Sequence, residues 1–195
     1  MIKNNVILAS ASPRRRELLG LIFKNFEILP SNVEEKVPDT VSAEETPEYL
    51  AEIKALDISK KYPDSLVIGA DTIVLADGKI LGKPKTKDDA EKMLRMLSGK
   101  EHKVITGCAV VKEGVCSTFS EETIVEFFDL SDKEIGDYIS SDEPYDKAGG
   151  YGIQGNGSLL VKGIKGDYFN VVGLPVAKLN RFLNDLQKGV FYDLD

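Results

Sequence analysis

Residues 72–84 read TIVLADGKILGKP, in which an Asp-Gly pair separates two apolar runs. Such a pair is a strong signal for a two-residue β-hairpin turn. Counting outward from the turn predicts that Val74 pairs with Leu81 and that Thr72 pairs with Lys83. The stretch therefore predicts two antiparallel strands.

Strand and helix signals alternate along the rest of the chain, and a longer hairpin is expected between strands at 104–111 and 115–128. Further predictions are strands at 6–8, 26–29, 66–68, 159–161 and 171–172, helices capped by Thr46, Thr86 and Ser131, and a last helix opened by Leu174-Pro175. Hairpins require antiparallel pairs, whereas alternating strands and helices favour parallel ones. The predicted fold class is therefore α/β with a mixed sheet.

Composition and charge narrow the classes of function. The 195 residues fit one domain, or one domain with two lobes. Hydrophobic residues make up 42% of the chain, which is enough for a sizeable core. The net charge of −7 argues against general coating of DNA or RNA. A small anionic ligand stays compatible with that charge, because screening over about 8 Å lets a local basic pocket act alone.

The cysteines and the single histidine point to no metal framework. Cys108 and Cys116 do not form a zinc-ligand pattern with His102, and two cysteines do not make a disulfide scaffold. They are interpreted as ordinary strand residues, and His102 as either a structural residue or a residue that supports a neighbour in the site. No signal peptide and no run of about 20 apolar residues is evident, so a cytoplasmic protein without membrane contact is expected.

Residues 6–15 read VILASASPRR, a pattern that predicts a short apolar strand followed directly by a helix. Ser12 suits the N-cap, and Pro13 suits the first helical position. Because a helix N-terminus carries partial positive charge, arginines beside it would deepen a pocket for an anion. The alternative is a surface turn with solvated arginines.

Asp71 lies within strand-like sequence, although aspartate is depleted in strands, and this favours a functional role. The hairpin count brings Lys83 opposite Thr72, but strand alternation would turn Asp71 to the other face. A bend near Gly69 or Gly82 would be needed to bring the three side chains together. The alternatives are a turn aspartate that caps a loop and a solvated lysine on an edge strand.

Other polar residues have weaker signals when taken alone. Lys54 flanks an apolar helical stripe and is interpreted as a surface lysine, while Glu34 and Glu35 are loop acids, which are usually solvated. The glycine-rich segment 143–158 is either a flexible connector or backbone close to a ligand, and the Gln154 amide could read a base edge. Together these features predict an enzyme that binds a polyphosphate ligand with a divalent ion.

Several longer motifs occur in order along the chain: LASASPRRRELL, VEEKV, LAEIKA, IGADTIV, LGKP, MLRMLSGKEHKVITG, EPYDKAGGYGIQG and IKGDYFNVVGLP. They resemble the Maf family of nucleoside triphosphate pyrophosphatases, historically described as septum formation inhibitors. The resemblance runs from about Val6 to Pro175. It implies one domain over residues 1–195 with an inosine-triphosphatase-like fold, in which an elongated mixed sheet, flanked by helices, forms two lobes around a central cleft.

The resemblance also implies an activity and its residues. The reaction would be hydrolysis between the α- and β-phosphates, with Asp71 as proton acceptor. Our own hypothesis adds Mg²⁺ or Mn²⁺, held by Glu35 and Asp71. Glu34 is an alternative to Glu35 in this transfer. The matching polar cleft residues are Ser10, Arg15, Glu35, Lys54 and Lys83.

Three further positions separate substrate types within the family, and here they are Arg14, Thr72 and Gln154, which resemble the dTTP/UTP type. The substrate is expected to be a canonical or a modified pyrimidine nucleotide, as in a house-cleaning enzyme. The rival interpretations are a non-catalytic nucleotide-binding regulator of cell division and a phosphatase that releases single phosphates. No nucleic-acid partner is expected, and a homodimer stays open.

Overall fold

A computed structural model describes residues 5–190, and it describes side chains up to residue 186. Its strands are β1 (Val6–Leu8), β2 (Glu27–Ile28), β3 (Leu66–Ala76), β4 (Lys79–Leu81), β5 (Glu101–Lys112), β6 (Val115–Phe127) and β7 (Val161–Lys165). Its α-helices are α1 (Pro13–Leu19), α2 (Thr46–Ser59), α3 (Lys87–Leu97), α4 (Asp132–Ile139), α5 (Tyr168–Val172) and α6 (Val176–Val190). The glycine-rich segment folds into three short 3-10 turns.

The strands form a mixed sheet in the order β2-β1-β3-β5-β6-β7, with β4 paired to β3. The pairs β1–β2 and β1–β3 are parallel, and the others are antiparallel. This confirms the predicted α/β class and its mixed sheet. The division into two lobes and the single domain over residues 1–195 stay predictions.

One edge of β3 carries two partners that do not meet. β1 pairs with residues 66–68 and β4 pairs with residues 74–76, while β5 runs along the other edge. Residues 69–73 therefore face an opening in the sheet. Because successive side chains of a strand point to opposite faces, this opening gives access to both sides of β3.

The two sides of β3 pack against different helices. Val67 packs in the same apolar cluster as Ala51 and Ala55 of α2, whereas Ile68 packs with residues of α1 and α6. A separate cluster joins the far end of the sheet to α3 and α4. The opening in the edge of β3 therefore lies between the helices that cover the two faces.

Three local predictions are corrected by the structure. Thr46 does not cap α2, because Glu45 holds that position without a side-chain bond and the Thr46 hydroxyl donates to the carbonyl of Ser42. Residues 171–172 belong to helix α5 and not to a strand. The strand expected at 159–161 begins at Val161, since the two preceding leucines complete a 3-10 turn.

The caps at Ser12, Thr86 and Ser131 are confirmed, and the last two form complete capping boxes. The expected Val74–Leu81 pair is present, but β4 ends at Leu81, so the expected Thr72–Lys83 pair does not form. In the part of the chain that the structure describes, no helix is both long and apolar enough to cross a bilayer.

Candidate functional site

A pocket of about 610 Å³ lies at the opening in the edge of β3, a volume within the usual range for small-molecule sites. Residues from Ala9 to Gly173 line it, so distant parts of the chain converge there. All nine side chains singled out from the sequence are among them: Ser10, Arg14, Arg15, Glu35, Lys54, Asp71, Thr72, Lys83 and Gln154.

Asp71 and Thr72 reach the pocket from opposite faces of β3. Asp71 bonds to Lys54 on α2, whereas Thr72 bonds to Arg15 on α1. The strand alternation inferred from the sequence therefore holds, and the opening in the sheet lets both faces contribute. Lys83 lines the pocket from the exposed segment after β4, so it needs no place in the ladder.

Lys54 lies between two carboxylates. Its Nζ is 2.7 Å from Asp71 Oδ1 and 3.0 Å from Glu35 Oε1. The side chains of Lys54 and Asp71 are only 13% and 15% exposed, so solvent screens their contact weakly. The interpretation of Lys54 as a surface lysine is wrong, because the turn of α2 that carries it faces the opening in the sheet.

The two neighbouring glutamates of the first long loop behave differently. Glu34 pairs with Lys36, and both side chains are more than three-quarters exposed. Glu35 instead lines the pocket beside Lys54. The geometry therefore favours Glu35 over Glu34 as the loop carboxylate of the site.

Arg15 is held by neutral acceptors. Its guanidinium donates to the Gly173 carbonyl at 2.9 Å, to Ser10 Oγ at 3.2 Å and to Thr72 Oγ1 at 3.0 Å. Burial lowers the pKa of Arg15, and nearby carboxylates led by Asp71 oppose that shift. Arginine stays charged in proteins, and among the described residues no carboxylate forms an ion pair with it. A half-buried cation that has only neutral partners favours an anionic ligand.

The lining of the pocket also contains an ion pair that the sequence did not predict. Arg14 Nη1 is 3.0 Å from Asp146 Oδ2, and Lys147 Nζ is 2.5 Å from Asp146 Oδ1. Asp146 therefore connects α1 to the glycine-rich segment. The only signal in the sequence was an acidic residue followed by a lysine just before the glycines.

Glu143 and two aromatic rings support the other side of the pocket. The Glu143 carboxylate accepts the backbone N–H groups of Asn156 and Gly157, which fixes the glycine-rich segment around Gln154. Tyr151 lines the pocket and its hydroxyl lies 2.7 Å from His102 Nε2. This segment is therefore an ordered wall of the pocket.

The carboxylates of the site fit a hard divalent cation. Glu35 and Asp71 converge on the same ammonium group, and carboxylate oxygen is the ligand type that Mg²⁺ and Mn²⁺ prefer. The described residues contain no group of three or more metal-binding side chains. A cation held here would take part of its coordination from the ligand, as Mg²⁺ does when it binds with phosphates.

Comparison with known proteins gives both a family and a fold. A family model described as Maf-like protein matches residues 5–186. A dTTP/UTP pyrophosphatase of Geobacillus sp. (strain WCH70) is 53% identical over 176 residues, which cover 90% of this chain and 95% of that protein. A dTTP/UTP pyrophosphatase of Halalkalibacterium halodurans is 48% identical over 178 residues, covering 91% and 94%.

Among solved structures, a HAM1 protein from Coxiella burnetii aligns with a TM-score of 0.53. The alignment covers 93% of this chain and 99% of that one, at 14% sequence identity. This likeness concerns the fold alone, and it agrees with the predicted inosine-triphosphatase-like class.

Proposed function

The chain belongs to the Maf-like protein family, and on that basis we propose that it is a nucleoside triphosphate pyrophosphatase acting on dTTP and UTP. The products would be the nucleoside monophosphate and pyrophosphate. The observation that carries this proposal is Lys54 bound to both Asp71 and Glu35 in a pocket that also contains the half-buried Arg15. This arrangement combines a carboxylate that can act as a base, Asp71, with cations that can bind a triphosphate, Lys54 and Arg15.

Asp71 accepts the proton from the attacking water in this proposal. Lys54 holds Oδ1 of Asp71, and the other carboxylate oxygen is available for the proton. The water oxygen forms a bond to the α-phosphorus, and the bond from that phosphorus to the bridging oxygen of the β-phosphate breaks. Pyrophosphate leaves with the bridging oxygen.

Three cations stabilise negative charge as this bond breaks. Arg15 and Lys54 are fixed by hydrogen bonds before the substrate arrives, so little reorganisation is needed. Lys83 approaches from the opposite side of the opening and is exposed, so it is free to reach the phosphates. Glu35 and Asp71 would hold Mg²⁺ or Mn²⁺, which when bound polarises phosphate oxygens and acidifies water.

The finer parts of the proposal concern substrate, location and partners. The pyrimidine nucleotide, canonical or modified, is selected by Arg14, Thr72 and Gln154. The protein consists of a single domain. We assign the protein to the cytoplasm, with no nucleic-acid partner.

Pyrophosphate release from a panel of triphosphates, with Mg²⁺ present and the products identified, tests the proposal. We expect dTTP and UTP to be the best substrates and the products to be monophosphate and pyrophosphate. Lys83→Ala should lower kcat by about a hundredfold, because it removes a cation that acts on developing charge.

Lys79→Ala is the matched control, because Lys79 is an exposed lysine of the same hairpin that does not line the pocket. It should leave kcat unchanged. Binding of triphosphates without turnover would instead support a non-catalytic regulator, and release of single phosphates would identify a phosphatase. Either outcome contradicts the proposal.

A further inference from the structure

A chain of hydrogen bonds runs from Arg15 into the core on the Thr72 face of β3. Arg15 Nη2 lies 3.0 Å from Thr72 Oγ1, which lies 2.9 Å from Thr106 Oγ1, which lies 3.0 Å from the carbonyl oxygen of Asn170. Thr72 and Thr106 are direct cross-strand partners in β3 and β5, so their side chains share a face. Thr106 and Asn170 are both fully buried.

The groups at the two ends of this series of hydrogen bonds determine which atom donates in each bond. A guanidinium can only donate and a carbonyl can only accept. The single hydroxyl hydrogen of Thr106 is therefore donated to the Asn170 carbonyl. In the bond between the two threonines, Thr72 must then be the donor and Thr106 the acceptor. Thr72 then accepts from Arg15 and has no hydrogen left for the pocket that it lines.

We propose that Thr106 is a positioning residue that makes Thr72 an obligate acceptor, so that Thr72 selects a hydrogen-bond donor of the nucleoside. Phosphate and carbonyl oxygens cannot donate, so they are poor partners for Thr72. UTP and dTTP share two groups that can donate: the N3–H of the base and the 3′-hydroxyl of the sugar. Cytosine has an acceptor at N3 instead. This inference rests on the proposed function, because it concerns substrate selection in the same pocket.

The variant Thr106→Val tests it. Valine has a similar shape but offers Thr72 no acceptor, so the Thr72 hydroxyl is released to point a hydrogen into the pocket. The measurements are kcat/KM for UTP, CTP and 3′-deoxy-UTP. We expect one of the ratios, UTP to CTP or UTP to 3′-deoxy-UTP, to fall about threefold to tenfold, which is the range for a neutral hydrogen bond.

Thr123→Val is the matched control. Thr123 is equally buried and accepts from the same asparagine, at 2.9 Å from Asn170 Nδ2, but it has no contact with Thr72. It should destabilise the protein similarly and leave both ratios unchanged. Thr106→Ser keeps the hydroxyl and should restore the wild-type ratios.

The outcomes separate this inference from the proposed function. A fall in the UTP-to-CTP ratio alone supports it and identifies N3–H as the donor, and a fall in the 3′-deoxy-UTP ratio alone supports it and identifies the sugar hydroxyl. Unchanged ratios in an active Thr106→Val enzyme overturn it and leave the proposed function intact. A wild-type protein that releases no pyrophosphate from any triphosphate overturns the proposed function itself.

Discussion

His102 is buried between two aromatic rings, and its environment keeps it neutral. Its ring makes edge contacts with Phe127 and Tyr151, and its Nε2 lies 2.7 Å from the Tyr151 hydroxyl. Burial lowers the pKa of His102 to about 4. These contacts fit both interpretations of this histidine, since the ring packs in the core and its partner Tyr151 lines the pocket. Because the folded state holds the neutral ring, protonation of His102 opposes folding.

The free energy of unfolding should fall as the pH falls from about 6.5 to 4. In that window the unfolded state binds a proton at His102 and the folded state does not, so acid favours unfolding. This histidine should account for a loss of about 3 kcal/mol, complete only below pH 4. Urea unfolding of wild type and His102→Gln at pH 7, 5.5 and 4.5 checks this. The stability advantage of wild type should shrink with acid, and two parallel pH curves would contradict the prediction.

Single residues differ in how well the sequence predicts them. Asp71 could be selected because an aspartate inside a strand needs a reason. Lys54 could not be selected from the residues alone, because helical periodicity places it beside the apolar stripe and says nothing about which opening it faces. Asp146 was missed for a similar reason, since its partner Arg14 is 132 residues away in the sequence.

Helix α2 lies unusually close to the sheet because glycines make room for it. A Cβ atom on Gly107 would lie 2.2 Å from the backbone nitrogen of Glu48, and one on Gly69 would lie 2.4 Å from the Ala51 carbonyl oxygen. Both glycines are on the face of the sheet to which Asp71 points, and Gly107 is the cross-strand partner of Asp71. The small residues therefore set the position of the helix that carries Lys54.

Gly107→Ala should destabilise the protein and reduce its activity together. The added methyl group must push α2 away, and overpacking typically costs about 1–3 kcal/mol. The shift would also separate Lys54 from Asp71, so kcat should fall well beyond the loss in folded protein. Thermal unfolding and turnover measured on the same sample check both effects.

Gly136→Ala is the control for that substitution. Gly136 lies inside α4 and no atom would meet its new Cβ within 4 Å, so alanine should stabilise the helix by about 0.5–1 kcal/mol. Activity should be unchanged. A Gly107→Ala enzyme with normal stability and turnover would show that α2 does not depend on this close approach.

Elements were predictable where local chemistry fixes them. The capping boxes at Thr86 and Ser131 are complete within four residues of sequence, so they could be found without the fold. Residues 171–172 are β-branched and favour a strand, but Asp167 caps a short helix there through the Phe169 N–H. Asn170 of that helix bonds to β5 and β6, which is a tertiary constraint that a local pattern cannot contain.

At the scale of the whole molecule, the fold gathers positive side chains in one pocket, although the net charge of the protein is negative. The net charge of the chain is −7, yet its pocket is lined by five cationic side chains and three carboxylates. The hairpin at residues 77–78 predicted the mixed sheet, but the opening between β1 and β4 depends on where each short strand stops. The residue types predicted a polyphosphate site, but the family resemblance was needed to assign all nine residues to one cleft.

Pyrophosphate should stabilise the folded protein, because the pocket exists only when these distant segments are assembled. At a concentration about a hundredfold above Kd, binding adds ~2.7 kcal/mol, which corresponds to a rise of about 5–10 °C in Tm for a chain of this size. Arg15→Met should lose most of that rise, since it removes the half-buried cation of the pocket. Arg16→Met should keep it, because Arg16 is exposed on the same helix and does not line this pocket. The Tm of each variant in pyrophosphate is compared with the Tm of the same variant in sodium sulfate of equal ionic strength. An equal rise in the two variants would show that pyrophosphate binds through diffuse surface charge and not through Arg15.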